Sequence, residues 1–420
     1  MKIQVARLDP VAVPFYLAIL LSSILSFSAI AAVGDLPTPE SFAESEGIRI
    51  GDFGITTTLE AGVGLTNNAW QDSSHEDGEQ KILSISSAAS SATESRVLAA
   101  SFDYFGQDYV EKEFSALDIG SFSGNLFGRF QLSDKAAWRL LLKREETILG
   151  LSQEAQLNGI QAGTEVSNQV ETAFEWENES FFWSVMARSI DLVTDSFDAT
   201  EEGYEEESLD REENDIVGYA GRTFDWGRGF VYAGVQRLDY SEKTVGNFSF
   251  SRDSDETRYG VGFELESGKV SGDGSMHIFS QDFDSRLIED IANEFVGEIS
   301  LNYQINDTAT GTLEIGRTFI ETNIPGSAGL LTNRIFAGAS FSPWSKSYIK
   351  IGPTITQTEI AGSGFEIDRS SLDLEAAWEF TPKLKLFLRS SVAVTDTNKA
   401  IIRFLDAQAA TTYLSIAYSL

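Results

Sequence analysis

The chain has 420 residues, with 64 acidic and 31 basic side chains, a net charge of −33 and no cysteine. That balance excludes nucleic acid as a direct partner, because neutralisation of phosphates by Lys and Arg supplies most of such affinity. The absence of cysteine excludes a disulfide framework, thiolate metal sites and cysteine nucleophiles, and the two histidines, His75 and His277, are too few for a His-rich metal site.

The chain opens with Lys2 and Arg7, an apolar run over residues 11–27 and the small-residue pattern Ala29-Ile30-Ala31. This is the layout of a secretory signal, with cleavage expected near Ala31 or Ala32. Residues 1–32 are therefore read as a signal peptide and 33–46 as a short periplasmic segment. No Pro- or Gly-rich linker divides the rest, so residues 47–420 are read as one domain. No later segment approaches the roughly 20 apolar residues that a helical span needs.

From residue 47 onward apolar residues alternate with polar ones and the alternation breaks at short polar turns. Such turns are expected at Ser133-Asp134-Lys135, Glu177-Asn178-Glu179, Gly227-Arg228-Gly229, Ser267-Gly268-Lys269, Asn306-Asp307-Thr308, Ser345-Lys346-Ser347 and Pro382-Lys383. They recur at roughly 40 residues, which fits two long strands and one longer loop per repeat. One face of each strand is apolar: Phe122, Leu126, Phe130 and Leu132; Trp138, Leu140 and Leu142; Val170, Phe174 and Trp176; Tyr259, Val261, Phe263 and Leu265; and Leu414, Ile416, Tyr418 and Leu420 at the end of the chain. Alternate residues share a face of a strand, and in lipid only closed strand pairing satisfies every backbone group. The pattern predicts an all-β protein, a transmembrane antiparallel up-and-down β-barrel of about 18 strands, or 16 if residues 83–91 and 96–104 are not strands. A soluble β-propeller repeats at a similar length but with four short strands per blade, where this chain shows two long ones.

Aromatics gather beside the short turns: Phe130 with Trp138, Trp176 with Phe181 and Trp183, Phe224 and Trp226 with Phe230, Phe341 and Trp344 with Tyr348, and Trp378 with Phe380. A ring of amphipathic side chains at one depth is an interfacial girdle, which places the short turns on the periplasmic side. The longer, polar connections at residues 67–80, 150–163, 192–214 and 241–256 are then extracellular loops.

Near the start of the domain, Gly47-Ile48-Arg49-Ile50-Gly51-Asp52-Phe53 leads into Leu59-Glu60-Ala61-Gly62-Val63-Gly64 and Asn67-Asn68-Ala69-Trp70. This stretch resembles the opening of β-barrel porins of the β-barrel porin 2 type, many of them encoded with capsule or exopolysaccharide biosynthesis genes. The resemblance implies an outer-membrane barrel, and the gene association implies polysaccharide export. Two positions depart from the family pattern: Leu420 replaces the usual terminal aromatic, and Asn67-Asn68 replaces an acidic pair.

If the apolar stripes face lipid, the alternate residues face the lumen. The candidate pore-lining residues are Arg129, Arg139, Lys143, Glu171, Glu175, Arg258, Glu264, Glu298, Glu314, Glu375 and Arg389, with acids somewhat ahead of bases when their neighbours are included. Conducting a strongly anionic polymer would need a dominantly basic ring, so neutral or weakly charged glycans, or small polar solutes, fit better. The same charges also fit cross-strand pairs that fill a wet barrel. Between Asp195 and Asp215 nine further acids are opposed by Arg211 alone, a self-repelling stretch read as a solvated loop that attracts divalent cations or repels anions. Asp273, Ser275 and His277 share a strand face, the one local arrangement with a nucleophile and a base. Met276 and Ile278 take the lipid side, so Ser275 and His277 read as polar lumen residues.

The expected role is a passive pore or the outer-membrane element of polysaccharide secretion, with no covalent chemistry and no cofactor. The alternative is a structural or adhesive surface barrel with a plugged lumen; an outer-membrane hydrolase comes third. Expected partners are outer-membrane lipid and lipopolysaccharide, the barrel-assembly machinery, and polysaccharide or small polar solutes, with the chain acting as a monomer.

Overall fold

A computed structural model describes the strands of the domain and parts of their connections. Residues 1–47, 51–52, 68–76, 93–94, 111–117, 150–162, 197–209, 242–243, 246–247, 250, 287, 321–327, 362–363 and 399–406 lie outside the described residues, and with them the signal-peptide reading and most of the acidic stretch. Eighteen long strands follow one another. They are β1 (Phe53–Thr66), β2 (Gly78–Ala92), β3 (Arg96–Tyr109), β4 (Ile119–Ser133), β5 (Ala136–Leu149), β6 (Gly163–Glu177), β7 (Phe181–Ser196), β8 (Arg211–Phe224) and β9 (Gly227–Tyr240), then β10 (Ser254–Ser267), β11 (Val270–Phe283), β12 (Ile291–Asn306), β13 (Ala309–Ile320), β14 (Leu330–Phe341), β15 (Ser347–Ile360), β16 (Phe365–Thr381), β17 (Leu384–Thr397) and β18 (Ala407–Ser419). Each pairs antiparallel with its neighbours in sequence. The sheet closes on itself where β1 meets β18, from Thr58 opposite Ser419 to Thr66 opposite Thr411. Closure leaves no unpaired edge, which is the condition a sheet must meet in hydrocarbon. Residues 83–91 and 96–104, the weakest strands by pattern, belong to β2 and β3 and are paired over their length.

The register fixes the two faces. Leu59, Val63, Leu126, Val231, Ile335, Ile355, Leu414 and Ile416 point outward and are exposed, while Glu60, Gln80, Gln169, Asp215, Glu375 and Arg389 on the opposite parity are buried inside. All short turns lie at one end of the barrel, together with the start of β1 and the end of β18. Leu420 N donates to Thr57 O and Ser419 N to Lys383 O there. Side-chain geometry tightens these turns: Asn178 Oδ1 accepts from the amides of Ser180 and Phe181 at 2.9 and 2.8 Å, a turn that an Asn supports locally. Gly268 takes φ +60° in the two-residue turn between β10 and β11, a conformation that glycine adopts without steric cost.

Crossing a bilayer takes about 9–11 tilted residues, whereas these strands run from 12 to 17. The surplus is at the loop end. On β5 the outward row reads Trp138, Leu140, Leu142 and then Arg144, Glu146, and on β9 it reads Val231, Ala233, Val235 and then Arg237, Asp239. The wall thus rises past its apolar band into water, and Arg237 there meets Asp239, Asp255 and Asp284 at 3.0–3.1 Å. At the turn end the outer face carries aromatic pairs, Phe130 with Trp138 (ring centroids 5.4 Å), Phe174 with Trp183 (5.4 Å), Phe224 with Trp226 (5.0 Å) and Trp344 with Trp378 (5.9 Å).

Three sequence expectations are corrected. The turn between β8 and β9 is Asp225-Trp226, and Gly227, Arg228 and Gly229 already belong to β9. Gly227 (φ +140°) lies so close to β10 that a Cβ would stand 2.0 Å from the Glu264 carbonyl oxygen, so glycine is needed here for close strand approach. Residues 192–196 and 211–214, read as loop, extend β7 and β8 and pair from Leu192–Arg211 downward. Finally, Phe230 and Tyr348, assigned to the girdle, sit on the inner face: Phe230 lies opposite Gly262, and Tyr348 packs against Ala377, Phe387 and Ala417.

Candidate functional site: the inner wall

The inner wall is where chemistry other than lipid contact is available, and it is built from charge clusters that span several strands. Arg129 on β4 and Arg139 on β5 face each other directly, a like-charge pair that would repel if left alone. Two carboxylates from β6 resolve it. Arg129 Nε donates to Glu175 Oε2 at 3.1 Å, Arg139 Nη2 donates to Glu171 Oε1 at 2.7 Å, and Arg139 Nη1 lies 3.6 Å from Glu175 Oε1. Lys143, four residues further along β5, pairs with Glu145 on its own strand at 2.7 Å.

A second cluster centres on Asp215 of β8. Its Oδ2 accepts from Arg188 Nη2 at 3.0 Å and from Arg258 Nη2 at 2.5 Å, and Arg258 Nη1 also donates to Glu256 and Gln236 at 3.0 Å. A third joins Arg228 to Glu177, with Glu264 at 4.0 Å. A fourth lies at the closing seam: Arg389 of β17 donates to Glu60 of β1, to Glu375 of β16 at 2.9 Å and to Ser415 of β18 at 3.3 Å, while Ser415 Oγ donates to Glu60 at 2.5 Å. Arg334 stands 3.6 Å from Glu314. Glu298 is on the inner face opposite Ser275 and Gly316.

All the sequence-derived candidates therefore lie on the inner parity, and the fold brings Arg129, Arg139, Glu171 and Glu175 into one group and Glu375 and Arg389 into another. Among the residues that complete these groups, Glu60, Glu177, Arg188, Asp215 and Arg228 were not assigned to the lumen by sequence. Glu60 was legible in principle, since Leu59, Val63 and Leu65 fix the outward parity of β1. Asp215 was hidden in the acidic stretch and Arg228 in a mistaken turn.

Between the second and third clusters the wall is aromatic. Phe182 of β7, Tyr219 of β8, Phe230 and Tyr232 of β9 and His277 of β11 form a connected set, with ring centroids 5.5–6.4 Å apart. Tyr232 Oη and His277 Nδ1 are 2.8 Å apart and hydrogen-bonded. β10 contributes no side chain to this patch: its inner positions there are Gly260 and Gly262, and a Cβ at Gly262 would stand 2.3 Å from the Phe230 ring and one at Gly260 2.8 Å from that of Tyr232. The rings lie across those glycines, an arrangement by which aromatics cover weak glycine positions in sheets. Asp273 and Ser275 share the inner face with His277. Among the described residues, no group of three or more His, Asp or Glu side chains is arranged to hold a metal ion. At the loop end Asp118 Oδ1 accepts from the Tyr109 amide at 2.7 Å. Burial pushes this carboxyl up from its ordinary range, against the lowering effect of that amide, and neighbouring Asp108 adds to the rise.

No curated protein matches the chain. Among solved structures, the chain is similar to OccK2 (OpdF) of Pseudomonas aeruginosa (10% identity, TM-score 0.49, 88% of this chain and 98% of that one). It is also similar to a BenF-like porin of Pseudomonas fluorescens Pf-5 (9%, 0.49, 88% and 98%) and to the siderophore receptor PirA of P. aeruginosa (8%, 0.44, 87% and 80%). The family model described as "Putative beta-barrel porin 2" matches residues 41–416, nearly the whole described barrel. The chain belongs to that family and is a porin-like β-barrel of the outer membrane.

Proposed function

We propose that the barrel is an open diffusion pore that passes small neutral or cationic polar solutes through a hydrated lumen. Barrels of about 16–18 strands leave an aqueous channel, and the wall described above carries charge clusters on either side of its aromatic patch. The observation that carries the reading is the charge pattern. The inner arginines Arg129, Arg139, Arg188, Arg228, Arg258 and Arg389 each contact a carboxylate, and inner carboxylates outnumber bases, so the wall offers no basic ring to a passing anion. On this reading Arg129, Arg139, Lys143, Glu171, Glu175, Arg258, Glu264, Glu298, Glu314, Glu375 and Arg389 line the pore. Transport then needs neither covalent chemistry nor a cofactor. The chain would be exported by a signal in residues 1–32, inserted by the barrel-assembly machinery and held as a monomer among lipopolysaccharide.

Liposome swelling tests this. Proteoliposomes of the refolded protein should swell fastest with neutral and cationic solutes and slowly with dianions of equal size. Equal rates for all three would remove the role given to the wall charges, and no swelling from a folded barrel would favour a plugged surface protein.

A further inference from the structure

The aromatic patch on β7, β8, β9 and β11 lies between two ion-pair clusters, touching the turn-end one where the Arg228 guanidinium stands 5.1 Å from the Phe182 ring centroid, and it leaves aromatic surface on the inner face. We propose that it is a stacking site for the pyranose rings of a neutral oligosaccharide, which would make sugars a preferred solute of this pore; this rests on the open-pore reading above. Three observations point to a sugar. First, Phe182, Tyr219, Phe230, Tyr232 and His277 are all half-buried on the inner face, so the patch has a surface left to cover. Second, because Gly260 and Gly262 carry no side chain, the Phe230 and Tyr232 rings lie over β10 on the inner face and present aromatic surface there. A pyranose offers a matching apolar C–H face. Third, the patch is bordered by hydrogen-bonding groups on both sides. Arg258, Gln236 and Asp215 lie toward the loop end, and Arg228, Glu177 and Glu264 toward the turn end. A sugar meets both demands, with its face on the rings and its hydroxyls on the border. A flat aromatic solute has no hydroxyl rim with which to add hydrogen bonds to these groups.

The bordering clusters are balanced pairs in which each arginine contacts a carboxylate, which favours a neutral sugar over a uronic-acid polymer. Two ring pairs set the geometry. Tyr219 and Tyr232 are stacked at 5.5 Å and 29°, whereas Phe230 meets Tyr219 edge-on at 6.1 Å and 65°. The site therefore offers rings at two orientations, the Tyr219–Tyr232 pair and Phe230.

The test uses the refolded full chain and maltohexaose as the probe, with isothermal titration in detergent micelles and current block in planar bilayers run in parallel. Wild type should bind maltohexaose and show blocks that a size-matched polyethylene glycol does not produce. Tyr219→Leu, which leaves the Phe230 and Tyr232 contacts with β10 in place, should weaken binding about tenfold, the weight of one stacking contact. Tyr219→Trp should restore it, and Tyr348→Leu, an inner-face ring on β15, should leave binding unaltered. Tyr232→Leu serves as a second variant if Tyr219→Leu does not give a heat-modifiable barrel. Absence of binding by wild type, indifference to both Leu variants, or tighter binding of indole than of maltohexaose would overturn the proposal. If titration behaves as stated but bilayers stay silent, the open-pore reading fails and the sugar site stands. Conductance without maltohexaose binding leaves the pore and removes the site.

Discussion

The seam where the barrel closes makes the sharpest energetic prediction. Arg389 ties β17 to Glu60 on β1 and to Glu375 on β16, and its carboxylate partners are only 5% and 6% exposed. Arg389→Leu keeps much of the side-chain volume but removes the cation that Glu60 and Glu375 share, leaving Glu60 without it and Glu375 with only Lys350, its cross-strand neighbour on β15. Removing one partner of a buried ion pair costs about 3–5 kcal/mol, because the remaining charge stays desolvated. The loss falls on the seam, since Glu60 and Ser415 belong to the two strands that close the sheet. A combined Arg389→Leu, Glu60→Gln, Glu375→Gln chain should recover most of it, because neutral replacements of a buried charge group are often close to neutral in stability. The assay is equilibrium unfolding by urea in micelles, read by tryptophan fluorescence and by heat-modifiable migration, with the slope checked for constancy. A loss within about 0.5 kcal/mol for Arg389→Leu alone would refute the reasoning. It would mean that lumen water reaches Glu60 and Glu375 and supplies what the guanidinium was taken to supply.

Other perturbations separate the two faces and the glycine contacts. Val231→Arg places a charge in the outward apolar band and should cost about 2–4 kcal/mol, whereas Arg144→Leu, above the band, should leave the unfolding midpoint almost unmoved. Gly262→Val drives side-chain atoms into the Phe230 ring and should cost about 1–3 kcal/mol by overpacking, an effect that an added Phe230→Leu should partly relieve in the same unfolding assay. Asp215→Asn removes the charge shared by Arg188 and Arg258, so reversal potentials across a salt gradient should move toward anions. An unmoved potential would show that this cluster does not face the conducting path.

Much of the barrel was legible because lipid imposes a simple rule on alternate residues, and rows such as Leu414-Ile416-Tyr418 obey it without exception. The rule failed where both parities are apolar. In Phe181-Phe182-Trp183 three aromatics run together, and only the register shows that Phe182 points inward while its neighbours point to lipid. Phe230 was drawn to the girdle by its nearness to Phe224 and Trp226, yet glycines on β10 make room for it inside. Arg228 looked like turn chemistry because glycines flank it, but Gly227 serves the close approach to β10. The charge clusters were invisible as groups, since Glu60 and Arg389 are separated by nearly the whole chain and meet only because the first and last strands pair.

The most direct test of the central claim is the zero-current potential of single channels formed by the refolded chain in a planar bilayer under a potassium chloride gradient. An open pore with a carboxylate-rich, arginine-balanced wall should give stable conductance steps and a potential of the sign set by cation preference. A potential of the opposite sign from stable channels would contradict the account of the wall, and silence from a heat-modifiable barrel would contradict the pore itself.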